Sequence, residues 1–315
     1  MPLCIRHTVS VLAIAQLAGS LFPTEASAQG RMPDSPKTLV VIAHPDDDAA
    51  FSGVLYQLTH QLDGTVDLAL VTDGSGGYRY STFAEEIYGV ELTNEEVARQ
   101  HLPAIRKREL MAGGAIVGIS KYFFFDQLDN AFTTDVAPVL ADIWDADWVR
   151  QRLAGILRDG GYDLIISAVP FTETHGHHKG ATILALQAAE QLPASGRPVV
   201  LGGFACALGD QAFEFSGLDG YPLTTASGGP VARFDRTQTL GFNDRLNFEV
   251  IGNWVIAEHK SQGVMQLRMS QLKEECYWSF DLNGASSTGE VQELFRRLHL
   301  PGPVSYTHLT LPTKA

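Results

Sequence analysis

Short apolar runs alternate with longer segments of helical periodicity from residue 37 onwards. The first run, Thr38–Ala43, is continuous and rich in β-branched residues, which is typical of a strand buried on both faces. Similar runs predict strands at Val66–Thr72, Tyr122–Phe125, Tyr162–Val169 and Pro198–Phe204. Helical patterns predict helices at Ala49–Leu62, Thr93–Gly118, Trp148–Arg158 and His178–Gln191. Strands separated by helices of this length indicate βαβ crossovers, so we predict an α/β fold with a mostly parallel sheet flanked by helices.

The longest predicted helix, Thr93–Gly118, carries two local signals. It begins with Thr93-Asn-Glu-Glu96, a capping-box pattern in which side chains satisfy free backbone N–H groups at the helix start. Pro103 lies inside it, and a proline in a helix interior removes a hydrogen bond and clashes with the preceding turn. We therefore expect a kink or a split at Pro103.

The alternation weakens beyond Cys206. There the pattern predicts a strand at Asn247–Val255, helical character over Ala257–Cys276 and a helix at about Gly289–Leu298. We interpret residues 37–205 as the core of one elaborated domain and residues 206–303 as a C-terminal extension of the same domain. A separate small subdomain is the alternative.

Both ends of the chain differ from the rest. Val9–Phe22 is apolar but short for a bilayer span, and Ala26-Ser27-Ala28 has the small-x-small pattern of a cleavage site. We expect residues 1–28 to be a secretory signal peptide and the protein to be exported, periplasmic or extracellular, with no transmembrane segment in the mature chain. Residues 304–315 resemble the conceptual translation of a sequencing adapter, so we interpret them as a non-native tail.

Charge and cysteine content exclude several classes of protein. The chain has 315 residues, 45% of them apolar, and a formal net charge of −13, which argues against nucleic acid or an anionic membrane as its main partner. Three cysteines are too few for a disulfide framework or a four-cysteine zinc site. Once the signal peptide is removed, Cys206 and Cys276 remain, either as a disulfide or as two free thiols.

Histidine and carboxylate side chains follow two of the predicted strands. Strand one runs into His44-Pro-Asp46-Asp47-Asp48, and strand four runs into a turn that contains His175 and His178. Ligands of open α/β sheets bind at the carboxyl ends of the strands. Imidazole and carboxylate groups are good zinc ligands, and a hydrolytic site needs three of them plus an open position for water. We therefore predict a metal site in which one aspartate binds the ion and its neighbour acts as a base. Helix capping by the aspartates is the alternative.

The two motifs together resemble the LmbE-like/PIG-L family of zinc-dependent N-acetyl-sugar deacetylases over Lys37–Phe204. The resemblance implies a Rossmann-like fold, and a small-molecule or glycoconjugate substrate such as an N-acetylglucosaminyl group. It also implies a role for each matching residue: metal ligands His44, Asp47 and His178, general base Asp46, and His175 as the group that stabilises the oxyanion and protonates the leaving amine. Arg106 matches a family Arg-x-x-Glu pattern whose arginine can contact substrate; a solvated helix face is the alternative.

Two positions depart from the family pattern. Asp48 stands where many relatives have glutamate, a minor change if it acts behind the ligands. His177 replaces an aspartate that in some relatives supports the catalytic histidine, and an imidazole cannot stabilise an imidazolium in that way. Glu173 is a candidate substitute.

Three functional hypotheses follow from this site. The first is metal-assisted removal of an acetyl group from an amino sugar, the second is zinc-dependent hydrolysis of another acyl-amide, and the third is a non-catalytic carbohydrate-binding protein. We expect Zn²⁺, although a His₂Asp set also accepts Fe²⁺ or Co²⁺. The glycine-rich segment Asp73–Tyr78 and His259 are secondary candidates, each with a structural alternative: a plain turn and a capping or packing role.

Overall fold

The structure is a computed structural model that describes residues 32–206, 213–226, 228–240, 243, 245–263 and 273–299. The predicted signal peptide at 1–28 and the predicted non-native tail at 304–315 lie outside these residues. No helix in the described ranges is long and apolar enough to cross a membrane.

A seven-stranded sheet forms the centre of the fold. Its strands are β1 (Lys37–Ile42), β2 (Thr65–Thr72), β3 (Ile119–Gln127), β4 (Leu164–Ala168), β5 (Val199–Cys206), β6 (Ala232–Asp235) and β9 (Glu274–Ser279). A separate two-stranded ribbon is formed by β7 (Thr239–Leu240) and β8 (Leu246–Asn247). The strand order of the sheet is β3-β2-β1-β4-β5-β9-β6. The first five strands are parallel, and β9 lies antiparallel between β5 and β6.

Helices cover both faces of the sheet. They are α1 (Ser52–His60), α2 (Ala84–Tyr88), α3 (Glu95–Val117), α4 (Ala146–Gly160), α5 (Gly176–Glu190), α6 (Glu249–Glu258) and α7 (Ser287–Leu298). Successive side chains of a strand point to opposite faces. In β1, Val40 and Ile42 join the apolar core that contains residues of α1, α3, α6 and α7, whereas Leu39 and Val41 join the core with α4 and α5. The fold therefore has three layers, and the prediction of an α/β fold with a mostly parallel sheet flanked by helices is confirmed.

Three predictions for individual elements need correction. Helix α3 runs through Pro103 as one helix, which excludes the predicted split, and its cap is Asn94, which accepts hydrogen bonds from the N–H groups of Glu96 and Val97. The predicted strand at Asn247–Val255 is wrong, because most of that segment forms α6. The predicted helical character of Ala257–Cys276 is wrong at the C-terminal end, where Cys276 lies in β9, whereas Ala257 and Glu258 belong to α6 and residues 264–272 lie outside the described residues.

Strand order places side by side the loop after β1, which carries His44–Asp48, and the segment after β4, which carries His175 and His178. We call these two segments the motif loops. β1 lies between β2 and β4, and Val41 pairs with Ser167 near the carboxyl ends of β1 and β4. The chain goes from β1 to β2 on one side, and it returns from β3 to β4 on the other side of β1. Such a reversal of strand order opens a crevice at the carboxyl ends of β1 and β4. The loops after β1 and β4 therefore meet at the topological switch point of the sheet.

The segment after β5 contributes to the same sheet through β6 and β9. Cys206 at the end of β5 and Cys276 in β9 form a disulfide bond, which decides between the two alternatives left open by the sequence. The described part of this segment also packs α6 against α3 and α7 against the sheet. The motif loops are thus supported from behind by chain that lies far from them in sequence.

Candidate metal-dependent active site

Asp47 is held in a fixed orientation by the backbone that precedes it. Its Oδ2 accepts hydrogen bonds from the N–H groups of Ala43, at 3.1 Å, and His44, at 2.8 Å. Its Oδ1 lies 3.1 Å from His178 Nε2. Burial alone would raise the pKa of Asp47, but His178 and His44 lower it well below its ordinary value, so the carboxylate is ionised.

His178 presents one defined nitrogen to this carboxylate. Its Nδ1 is hydrogen-bonded to Thr174 Oγ1 at 3.0 Å, so Nε2 is the nitrogen that faces Asp47. That Nε2 also lies 3.1 Å from His44 Nδ1. A hydrogen bond of this kind, made by the far nitrogen of an imidazole, commonly fixes a histidine ligand.

His44 is oriented by a chain of two further side chains. His177 Nε2–H donates to Asn130 Oδ1 at 2.7 Å, so His177 Nδ1 is an acceptor when the ring is neutral. Burial is the main cause that lowers the pKa of His177 and keeps it neutral. His44 Nε2 lies 3.0 Å from that Nδ1 and donates to it, so His44 Nδ1 is the nitrogen left to bind a metal.

These three side chains fit a divalent metal ion. His178 Nε2 lies 3.1 Å from both His44 Nδ1 and Asp47 Oδ1, and His44 Nδ1 lies 3.7 Å from the second carboxylate oxygen, Asp47 Oδ2. Tetrahedral coordination with bonds of about 2.0–2.1 Å places neighbouring ligand atoms about 3.3 Å apart. The structure thus brings together the predicted ligand set His44, Asp47 and His178 at distances suited to a divalent metal ion.

The predicted base and the predicted acid lie at the same cavity, whose volume is about 400 Å³. Asp46 and His175 both line it. Burial raises the pKa of Asp46, and the adjacent Asp47 carboxylate raises it further, which makes Asp46 a better proton acceptor. Burial and the neighbouring histidines lower the pKa of His175 to about 2, so its ring is neutral. His175 Nδ1 accepts a hydrogen bond from the backbone N–H of His177 at 3.0 Å, so the ring proton of His175 is on Nε2.

Asp129 is a site residue that sequence reasoning missed. It lines the cavity, and its Oδ1 lies 3.5 Å from His177 Nδ1 and 3.7 Å from His44 Nε2. Burial would raise its pKa, but His44, His177 and Arg106 lower it to about 2. A side chain at Gly76 would come within 2.5 Å of this carboxylate, so the glycine leaves the space that Asp129 fills. Asp129 follows β3, where the strand-end rule would have indicated it.

Arg106 lines the cavity as well, but its hydrogen bonds go to the protein. Nη1 donates to the carbonyl oxygens of Gly74 and Gly76, and Nη2 donates to that of Ser261 at 3.2 Å. Only 3% of the residue is exposed. The alternative of a solvated helix face is therefore wrong, and Arg106 fixes the glycine-rich loop after β2.

The two residues that depart from the family pattern, His177 and Asp48, are both buried behind the cavity-lining residues. Glu173 is exposed, whereas His177 is buried between His44 and Asn130, so His177 takes a place behind a metal ligand. His259 is buried, and its Nε2 lies 2.8 Å from Asp48 Oδ1. Asp48 and His259 therefore form a buried pair behind the motif loop.

A known protein family matches the part of the chain that carries these residues. Residues 39–189 match the protein family described as "PIG-L: GlcNAc-PI de-N-acetylase". This span begins in β1 and ends in α5, so it contains both motif loops. The segment is a domain of the PIG-L, or LmbE-like, family.

Solved structures of similar fold include two deacetylases. The N,N'-diacetylchitobiose deacetylase from Pyrococcus horikoshii has a TM-score of 0.51 at 17% identity, covering 80% of this chain and 86% of that one. The A40926 pseudoaglycone deacetylase Dbv21 has a TM-score of 0.51 at 15% identity, covering 80% of this chain and all of that one. Identities this low support a common fold. No curated protein sequence matches the chain significantly.

Proposed function

We propose that this protein is a zinc-dependent hydrolase that removes the acetyl group from the nitrogen of an N-acetylated amino sugar. The observation that carries the proposal is the juxtaposition of a His₂Asp ligand set with a free carboxylate, Asp46, and a neutral imidazole, His175, at one cavity. A binding protein has no need for a base beside a metal site. The family match and the deacetylases of similar fold support the same chemistry.

The ligands His44, Asp47 and His178 would hold the ion, which polarises the acetyl carbonyl and lowers the pKa of an attacking water when bound. Asp46 accepts a proton as the water oxygen bonds to the amide carbon. His175 donates a hydrogen bond from Nε2–H to the oxyanion that develops on the former carbonyl oxygen.

Collapse of the tetrahedral species breaks the C–N bond. The amine nitrogen takes the proton that Asp46 accepted from the water, and the products are acetate and the free amino sugar. Asp129 remains ionised beside His44 and His177, so it places a negative charge behind the proposed ligand His44.

A panel of N-acetylated amino sugars, together with other acyl-amides, tests the proposal through release of free amine. We expect release from the amino sugars, loss of activity after chelation and recovery on return of Zn²⁺. Release from non-sugar amides alone would contradict the substrate class. Chelator-insensitive release would contradict the metal.

Export from the cytoplasm is a further part of the proposal. The disulfide between Cys206 and Cys276 supports it, because structural disulfides persist in oxidising compartments. Fractionation of cells that express the full chain tests it. The deacetylase should be found in the periplasm or the medium, and confinement to the cytoplasm would contradict export.

A further inference from the structure

Two aromatic side chains at the cavity take no part in the reaction described above. Tyr80 and Phe132 are 58% and 71% exposed, and both line the cavity. Exposed aromatic side chains that share one cavity indicate a binding surface, because burying them against a ligand removes their apolar area from water. We propose that Tyr80 and Phe132 form a subsite for a second sugar ring, linked to the reacting N-acetylated residue. This inference rests on the proposed function.

Tyr80 stands on backbone that is anchored on both sides. Its N–H donates to Gly77 O at 3.1 Å within a short 3₁₀ helix, Tyr78–Ser81. The next residue, Ser81, is fully buried, and its Oγ donates to Ser261 O at 2.8 Å. The exposed ring is therefore carried by a fixed support, as a preorganised contact requires.

Phe132 is anchored in the same manner, on the loop after β3. Asn130 accepts the hydrogen bond of His177, and Thr133 O accepts the N–H of Gly176 at 2.7 Å. The Phe132 ring meets His175 edge to face, with centroids 4.8 Å apart and an interplanar angle of 78°. A ligand on Phe132 would thus lie directly beside the group that we assign to the oxyanion.

The remaining walls of the cavity favour a sugar over an acyl chain. Asp129, Asn130 and Gln262 line the same cavity, so the aromatic rings do not belong to a continuous apolar surface. A pyranose ring combines a C–H face that packs on an aromatic ring with hydroxyl groups that bond to such polar side chains. The subsite therefore fits a sugar ring.

Steady-state kinetics on N-acetylglucosamine and its β-1,4-linked disaccharide test the subsite. We expect kcat/KM to be roughly tenfold higher for the disaccharide, as two aromatic contacts would give. Tyr80→Ala and Phe132→Ala should each lower this preference by about threefold or more, while Tyr80→Phe, which keeps the ring, should retain it. Phe83→Ala is the matched control, because Phe83 is exposed close to Tyr80 in sequence but does not line the cavity.

Calorimetry of the binding of both sugars to zinc-loaded Asp46→Asn protein tests the subsite independently of the reaction. Tighter binding of the disaccharide that depends on Tyr80 and Phe132 supports the subsite, even if no deacetylation is measured and the proposed function fails. Equal kcat/KM and equal affinity for the two sugars would overturn the subsite while leaving deacetylation in place. Failure to bind either sugar would overturn both. A stronger preference for the octyl glycoside of N-acetylglucosamine would overturn the choice of a sugar.

Discussion

Each of the three proposed metal ligands has one side-chain atom bonded to other parts of the protein, while its second atom faces the other two ligands. Asp47 Oδ2 is held by two backbone N–H groups, and His178 Nδ1 is held by Thr174. His44 Nε2 is held by His177. The ligand atoms are therefore oriented before any ion arrives, which reduces the reorganisation that metal binding requires.

Zinc affinity should depend on pH through His44. Burial lowers the pKa of His44, but Asp129, Asp47 and Asp46 raise it to about 9 in the metal-free protein, above the ordinary value of 6.5. The protonated ring therefore stabilises the metal-free fold below pH 6.5, and this contribution is lost as the pH rises through 9. Because zinc must displace that proton, affinity should increase with pH between these values, by up to about tenfold per unit.

Calorimetry in buffers of different ionisation enthalpy measures this linkage. At about pH 7.5, binding of zinc should release about one proton from His44. Zinc binding without proton release, and with an affinity that is constant across this range, would contradict the assignment of His44 as a ligand.

His177→Phe should weaken zinc binding. The substitution removes the acceptor for His44 Nε2–H while keeping an aromatic ring, and loss of such an outer hydrogen bond commonly lowers metal affinity about 10- to 100-fold. Competition with a chromophoric chelator measures the affinity. His101→Phe, at an exposed position on α3, is the control and should leave it unchanged. An unaltered affinity in His177→Phe would show that His44 is held by other contacts.

Residue types in the motifs were sufficient to predict which side chains meet, but not how they are held. His44, Asp47 and His178 follow parallel strands, so the strand-end rule placed them together. The function of His177 depends on Asn130, 47 residues away, and that contact has no local signal. Arg106 also depends on the path of a distant loop, because its partners are backbone carbonyls after β2.

At the scale of elements, the C-terminal strands support the loop that carries the aspartates. Glu275 in β9 accepts the N–H groups of Gly53 and Val54 at the start of α1. Arg236, which follows β6, donates to Ala49 O and Ala50 O and forms an ion pair with Glu275 at 2.8 Å. Both side chains are almost completely buried, so this pair connects the sheet edge with the backbone just after Asp46–Asp48.

Arg236→Met should destabilise the fold strongly. It leaves the Glu275 carboxylate buried without its charged partner, and breaking a buried pair in this way costs about 3–5 kcal/mol. Denaturant unfolding measures the loss. Arg296→Met removes an exposed pair with Glu293 on α7 and should leave the free energy of unfolding essentially unchanged. Equal stability of the two variants would contradict a supporting role for Arg236.

The elements that were predicted well from the sequence are those whose hydrophobic pattern fits only one type of secondary structure. The continuous apolar run of β1 and the long pattern of α3 are of this kind. The segment around α6 is not, since Val250-Ile251 and Val255-Ile256 give short β-branched runs that suit a strand or a helix equally. β9 is short and enters the sheet antiparallel, and its pairing with β5 depends on contacts about 70 residues apart along the chain.

At the scale of the whole molecule, the disulfide ties the extension to the core of the sheet. Cys206 and Cys276 are 70 residues apart, and closing a loop of that length stabilises a protein by about 4 kcal/mol in the chain-entropy model. Cys206→Ser with Cys276→Ser should lower the free energy of unfolding by about 2–4 kcal/mol. Unfolding of the wild type with and without reductant provides the comparison, and insensitivity to reductant would contradict a structural disulfide.

The central claim is that Asp46 and Asp47 have different functions in one metal-dependent deacetylation. Zinc content and amine release from an N-acetylated amino sugar, measured on the same preparations, test it most directly. Asp46→Asn should keep zinc and lose about 100-fold or more in kcat, whereas Asp47→Ala should lose both. Wild-type turnover in Asp46→Asn, or full zinc content in Asp47→Ala, would contradict the account.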